Sequence, residues 1–235
     1  MKRWSIYIDV EGFSAIFGKD STRALNSLIA LLKGVHDVAS RLPNSSHDRL
    51  FVHQVGDGFV IVSDFPETTI TRPLSIAIGL LQLLLISGGV GRAAISHGEF
   101  ADITSCYPAD IQKVRDGHYL QLPSGIMTIF PVMGDALTNA YKAQDNSFKG
   151  PCLFVDPCLL DCMEFEGLKF CHLTGDLVVI DWIGSSTRML AEVRNLLSIE
   201  SHSAEQLKVL LARYVSSNPV CDSWAANALL MAGGT

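Results

Sequence analysis

Apolar residues Ile6, Ile8 and Val10 alternate with Tyr7 and Asp9 along residues 4–10, the pattern of a strand buried in a sheet. Glu11-Gly12-Phe13-Ser14 then makes a turn, and Leu25, Leu28, Leu31, Leu32, Val35, Val38 and Leu42 follow at the spacing of one long helix. Residues 50–55 and 58–62 are β-rich runs around Gly56-Asp57-Gly58, which predicts a hairpin with Asp57 at its tip. Helical patterning returns over 75–85, with Pro73 tolerated in its first turn and Gly88-Gly89 as its stop, and 90–96 reads as another strand. Residues 100–122 are irregular and polar, which predicts a loop or a short helix between loops. Beyond it come a strand over 126–132, a helix over 134–144 with Asp135 near its start, and short strands over 152–155, 168–171 and 177–183. After Gly184-Ser185-Ser186 the pattern is helical in three pieces, near 187–198, 203–215 and 221–231.

The order βα, β-hairpin, αβ, then further β and α, is that of a ferredoxin-like α+β sandwich with added strands and a C-terminal helical extension. We place the boundary near residue 185, giving units 1–185 and 186–235. Leu197, Leu207, Leu210, Leu211 and Leu230 mark the extension as a packing element, against a dimer or a neighbouring domain. Such a fold does not by itself give a function.

Composition narrows the choice. Acidic residues outnumber basic ones 24 to 18, for a net charge of -6, which argues against broad binding to a nucleic-acid backbone. The most apolar stretch, 76–86, is interrupted by Gln82 and falls short of the roughly 20 residues of a membrane span. The first residues lack the continuous apolar core of a signal peptide, so the expected location is the cytoplasm. Six cysteines, with no C-x-x-C pair, read as reduced core thiols. Cys158 and Cys162, near His172, lack the further ligand that a zinc site needs.

The candidate chemistry is carboxylate chemistry. Asp9 ends a buried strand, where a charge is costly unless it meets a cation or a donor. If the hairpin stands beside that strand, Asp57 converges on it, and two carboxylates with a backbone oxygen suit Mg²⁺ or Mn²⁺. Gly12 lets the backbone approach closely, and the helix start after it offers free N–H groups to phosphate. The plainer reading, Asp9 as a strand-end cap and Asp57 as an ordinary turn residue, stays open.

Four segments in order, 6–14 (IYIDVEGFS), 55–59 (VGDGF), 91–98 (GRAAISHG) and 133–140 (MGDALTNA), resemble class III nucleotide cyclases. Residues 6–14, IYIDVEGFS, resemble the first metal motif of that family, and Val55-Gly56-Asp57-Gly58-Phe59 resembles its second metal hairpin. Gly91-Arg92-Ala93-Ala94-Ile95-Ser96-His97-Gly98 is similar to its Arg-x-x-x-x-His-Gly strand. Residues 133–140, MGDALTNA, resemble the segment with its transition-state residues. The resemblance spans residues 4–183 and implies a head-to-tail homodimer with active sites at the interface. It further implies two Mn²⁺ or Mg²⁺ ions on Asp9, Asp57 and the Val10 carbonyl, with phosphates on Gly12, Phe13, Ser14 and Arg92. Thr138 or Asn139, and Lys142, would serve the transition state. The 3′-oxygen of the ribose would attack the α-phosphorus and expel pyrophosphate.

Departures from the family bear on the substrate. The slots in which purine cyclases carry a lysine and an aspartate for adenine hold His53 and Pro131, and the slot of a second phosphate lysine holds Val178. This pattern resembles the pyrimidine cyclases of the bacterial antiphage system called Pycsar. It implies UTP, or CTP as second choice, and a separate effector that senses the cyclic product. The alternatives are a purine cyclase with an unconventional base pocket and a catalytically dead nucleotide-sensing dimer module. His97 reads as a structural turn residue rather than a base, and the long segment before Gly134, with His118 and Tyr119, as a cover for the base, a wider dimer contact or a plain insertion.

Overall fold

The structure is a computed structural model, described over residues 2–42, 49–117, 119–145, 147, 149–164, 166–174 and 177–231. His118 lies outside the described residues, as do the side chains of Cys171 and His172. In chain order the elements are β1 (Lys2–Val10), α1 (Phe13–Phe17), α2 (Ser21–Arg41), β2 (Leu50–Val55), β3 (Gly58–Ser63), α3 (Thr71–Ile86) and β4 (Gly91–Glu99). Next come β5 (Ala101–Asp102), α4 (Ala109–Val114), β6 (Arg115–Asp116), β7 (Tyr119–Leu122), β8 (Gly125–Thr128), β9 (Val132–Met133) and α5 (Ala136–Asp145). The chain continues with β10 (Leu153–Val155), β11 (Phe170–Thr174), β12 (Leu177–Ile180), α6 (Arg188–Leu196), α7 (Ala204–Ser217) and α8 (Asp222–Met231).

Among the described residues, seven strands form one mixed sheet in the order β11-β12-β10-β4-β1-β3-β2. Its β4-β1-β3-β2 half is antiparallel throughout and has the ferredoxin-like order, while β10 joins β4 in parallel. The fold class is therefore α+β, with added strands on the β4 side. Period-two alternation sends Ile6 and Ile8 of β1 into the main core and Tyr7 to the opposite face. The main core holds Leu31 and Val35 of α2 and most of α3, whereas Tyr7, Val60 and Val62 pack against Ala136 and Ala140 of α5. The sheet is thus covered by helix on both faces.

Several expectations need correction. The single long helix after Ser14 is two helices, because Gly18 ends α1 and the Asp20 carboxylate caps α2 by accepting from the Arg23 N–H at 2.9 Å. Leu25 and Leu32 are exposed, since α2 packs through Ala24, Leu31, Val35 and Val38, and positions one residue away turn about 100° from that stripe. The strand expected over 126–132 is split between β8, which pairs with β7, and β9, which pairs with β5. Pro131 lies in the break, where it has no N–H to donate to a ladder and only its carbonyl accepts, from the Ile103 N–H at 2.7 Å. The irregular segment 100–122 carries α4 and three short strands, with β6 and β7 joining β8 in a small meander. Among the described cysteines Cys106, Cys158 and Cys221 are exposed and Cys162 is half-buried, so only Cys152 is a core group. Cys158 and Cys162 lie in a 3₁₀ turn, whose three-residue period separates positions that an α-helix would align.

The helices after residue 185 join the main core. Leu190, Val193, Leu197, Leu207, Leu211 and Met231 belong to the same apolar cluster as the sheet. Gly79 of α3 lets α6 dock closely, because a Cβ there would stand 2.5 Å from Val193 Cγ1. Leu211→Ala is accordingly expected to lower the unfolding free energy by about 3 kcal/mol while denaturation stays a single transition. Two separate transitions by circular dichroism and fluorescence would contradict a shared core.

Candidate functional site

Strand register builds the site. Asp9 of β1 lies opposite Arg92 of β4 on one side and Gly58 of β3 on the other, so all three share the α5 face of the sheet. Gly58 is required there, since a Cβ would stand 2.9 Å from Asp9 Cβ and 2.8 Å from the Ile8 oxygen. Gly56 and Asp57 make a two-residue hairpin turn with Gly56 at φ +63°, the left-handed value that a primed turn demands. The turn folds back on β1, and the Asp57 carbonyl accepts from the Val10 N–H at 3.4 Å. Asp57, half-buried, thereby comes close enough for its charge to act on Asp9.

A buried net surrounds Asp9. Gln144 of α5 donates from Nε2 to Asp9 Oδ1 at 3.1 Å and to the Arg92 carbonyl at 2.9 Å. Arg92, only 6% exposed, directs Nε to Glu11 Oε2 at 3.2 Å and donates from Nη2 to Gln144 Oε1 at 3.4 Å. The other Glu11 oxygen accepts from Trp224 Nε1 at 3.3 Å, so α8 reaches into the net. Asp9 thus lies within electrostatic reach of one guanidinium, Arg92, and of two further carboxylates, Glu11 and Asp57. Burial pushes the Asp9 carboxyl up to about 7, against the pull of Arg92, and the charges of Glu11 and Asp57 push the same way. Burial and the charges of Asp9 and Asp57 also raise the Tyr7 phenol on the same face.

This donor set fits a divalent cation. The carboxylate oxygens are hard ligands, and a cation would relieve the crowding that raises Asp9. Arg92 Nη1 is buried and has no hydrogen-bond acceptor among the described residues, which leaves a donor for an anionic oxygen. Gly12 opens α1 in the left-handed conformation at φ 72°, with Gly12 and Ser14 exposed and Phe13 half-buried against Phe17.

Thr138 and Lys142 lie elsewhere. The α5 stripe of Ala136, Ala140 and Gln144 faces the sheet, so the exposed Thr138 and Lys142, one turn apart, are on the solvent side. They are not brought to the Asp9 of their own chain. Asn139 instead donates from Nδ2 to the His97 carbonyl at 2.9 Å and ties α5 to β4.

His53 and Pro131 do come together. They line a cavity of about 240 Å³ with Phe51, Tyr119, Thr128 and Phe130, in which the His53 ring packs on Phe130 and burial lowers its pKa. His53 lies on the Asp9 face, two strands over and two residues along, about 12 Å away from sheet spacings.

Glu11, Gln144 and Trp224 were not singled out by the sequence reading. Gln144 carries a legible signal, a polar residue in the buried register of Ala136 and Ala140. Trp224 carries none, because its contact with Glu11 depends on how the C-terminal helices return to β1.

No family model and no curated protein matches the chain. Among solved structures it is similar to a bacterial light-regulated adenylyl cyclase at 7% identity and TM-score 0.47, covering 84% of this chain and 55% of that one. It is similar also to a class III adenylyl cyclase-like ATP-binding protein from Pseudomonas aeruginosa, at 12% identity and TM-score 0.43 over 84% of this chain and 40% of that one. The chain thus spans about half the length of these structures or less. Among the described residues no helix is long and apolar enough to cross a membrane.

The raised Asp9 carboxyl has a thermodynamic consequence. Between about pH 4 and about pH 7 the folded state keeps a proton that the unfolded chain releases, so this group's contribution to stability falls as pH rises through that window. In chelator-treated protein, Asp9→Asn is expected to be more stable than wild type at about pH 8, by on the order of 2 kcal/mol, with the gap closing toward about pH 5. Calorimetric melting across this range checks it, and a pH-independent gap would contradict the assignment.

Proposed function

We propose that the chain is a pyrimidine nucleotide cyclase that converts UTP, or CTP as second choice, to the 3′,5′-cyclic nucleotide and pyrophosphate. The observation that carries this reading is the convergence of Asp9 and Asp57 at the carboxylate-crowded end of the central strand β1. Asp9, Asp57 and the Val10 carbonyl would hold two Mn²⁺ or Mg²⁺ ions. Such ions lower the pKa of a ribose 3′-hydroxyl and neutralise a triphosphate.

The remaining work falls to the protein's own groups. Arg92 offers Nη1 to phosphate oxygen, and the Gly12-Phe13-Ser14 backbone supplies the close approach that a polyphosphate needs. The 3′-oxygen forms its bond to the α-phosphorus, its proton passes to solvent, and the bond to the departing pyrophosphate breaks. The aromatic-walled cavity at His53 suits a single-ring base, and the largely neutral imidazole there has one donor and one acceptor. The spacing of about 12 Å between His53 and Asp9 matches a base and a polyphosphate on one nucleotide.

Lys142 and Thr138 face away from their own chain's carboxylates, which supports a head-to-tail dimer in which each copy completes the other's site. Lys142 would stabilise the charge that builds on the pentavalent phosphorus, and Thr138 would add a hydrogen bond. Asn139 is the weaker candidate, because its amide is engaged by His97. In this reading the enzyme works in the cytoplasm, its product is a second messenger in antiphage defence, and a separate effector senses it.

A nucleotide-sensing module without turnover is the second reading. The Arg92–Glu11 pair favours it, since it holds the Nε side of the guanidinium on a carboxylate of the same chain. Incubation with Mn²⁺ and each of ATP, GTP, CTP and UTP, followed by mass spectrometry, separates the readings. Cyclic UMP or cyclic CMP is the expected product. A cyclic purine nucleotide would overturn the base assignment, and absence of any product would favour the sensing module. Asp57→Ala is expected to abolish turnover, and so is Lys142→Ala. Mixing the two inactive variants should restore one working site per heterodimer, so no recovery would contradict shared sites.

A further inference from the structure

We propose that His97, Asp156 and Cys158 form a second, separate metal site of the kind that takes Zn²⁺. One potential ligand atom from each of the three lies within 4.8 Å of the other two. The Cys158 thiol donates to Asp156 Oδ1 at 2.7 Å, and its Sγ lies 3.3 Å from His97 Nδ1.

The sheet brings these residues together. His97 is near the end of β4, and the parallel strand β10 runs alongside until the Asp156 N–H donates to the Ile95 carbonyl at 2.9 Å. Pro157 then starts the 3₁₀ turn that carries Cys158, whose N–H donates to Asp156 Oδ1 at 3.1 Å. Groups outside the triad hold it in place. Ser96 Oγ donates to Asp156 Oδ2 at 2.9 Å, which leaves Oδ1 toward the thiol, and Asn139 fixes the His97 backbone. Such outer contacts orient ligands and are part of a metal site's affinity.

Imidazole, thiolate and carboxylate together are the ligand chemistry of Zn²⁺, and the open fourth position would go to water. His97 and Asp156 are half-buried and Cys158 is exposed, so an ion can enter from solvent. Binding forms a metal–sulfur bond and releases the thiol proton to solvent. A role for Cys158 as a nucleophile fits less well, since its thiol donates to the Asp156 carboxylate, an arrangement that favours the protonated form. The site is distinct from Asp9 and Asp57. His97 is five residues along β4 from Arg92, the partner of Asp9, or roughly 17 Å. Its thiolate also sets it apart from their oxygen-only donors.

The test is titration of the reduced full chain with Co²⁺, followed by displacement with Zn²⁺. One thiolate-bound Co²⁺ per chain is expected, read from a thiolate-to-cobalt charge-transfer band that saturates at one equivalent together with the visible bands of tetrahedral cobalt. Cys158→Ser should abolish the charge-transfer band. His97→Ala should weaken binding by more than the roughly tenfold expected when an outer contact such as that of Ser96 is lost. Asp57→Asn should leave the band unchanged, which keeps the result independent of the cyclase reading. No stoichiometric cobalt, or a band that survives Cys158→Ser, would overturn the proposal.

Discussion

Asp9 places a carboxylate at the end of a central, buried strand, beside two more carboxylates, and a single buried guanidinium holds the group together. Burying a charge is costly, and the sheet contains that cost with Arg92 directly across the ladder and Gln144 from the helix above. Much of the surrounding architecture serves this arrangement. Gly58 leaves room for the side chain, Gly56 turns the hairpin back, and α5 lies where its one buried polar residue meets both Asp9 and Arg92. Three negative groups and one positive group leave a net local charge that a divalent cation would offset. Burial raises the Asp9 carboxyl, and the charges of Glu11 and Asp57 push it the same way.

The C-terminal helices bear on the same balance. They share the main core with the sheet, and Trp224 of α8 holds the Glu11 oxygen that does not pair with Arg92. Glu11 therefore joins the start of α1, the guanidinium of β4 and the last helix. In the proposed reaction, Arg92 has to offer charge to a triphosphate while it remains paired with Glu11. Its unpartnered Nη1 lets one residue do both.

The core elements were legible because periodicity reports one-sided burial directly. Alternation located β1, β-rich apolar runs located β3 and β4, and helical spacing located α3 and the three C-terminal helices. The hairpin tip at Asp57 was legible because glycine is the residue that tolerates the turn's positive φ. Breaks within a continuous pattern were harder to see. Gly18 and Asp20 divide α1 from α2, and Pro131 divides β8 from β9, each by a local backbone effect that a hydrophobic pattern does not register. Of the candidate site, the two aspartates and Arg92 could be named from sequence, but their partners could not. Glu11–Arg92 and Glu11–Trp224 are contacts across long stretches of chain that depend on tertiary return. The outward direction of Thr138 and Lys142 also emerged only once α5 had been placed on the sheet.

The central claim is that Asp9 and Asp57 together form a divalent-cation site. Electron paramagnetic resonance of free Mn²⁺ counts bound ions directly, with and without a nucleoside triphosphate. The account predicts Mn²⁺ uptake by the wild-type chain that is lost in both Asp9→Asn and Asp57→Asn, with the fold unchanged by circular dichroism. Equal uptake by wild type and either variant would contradict it.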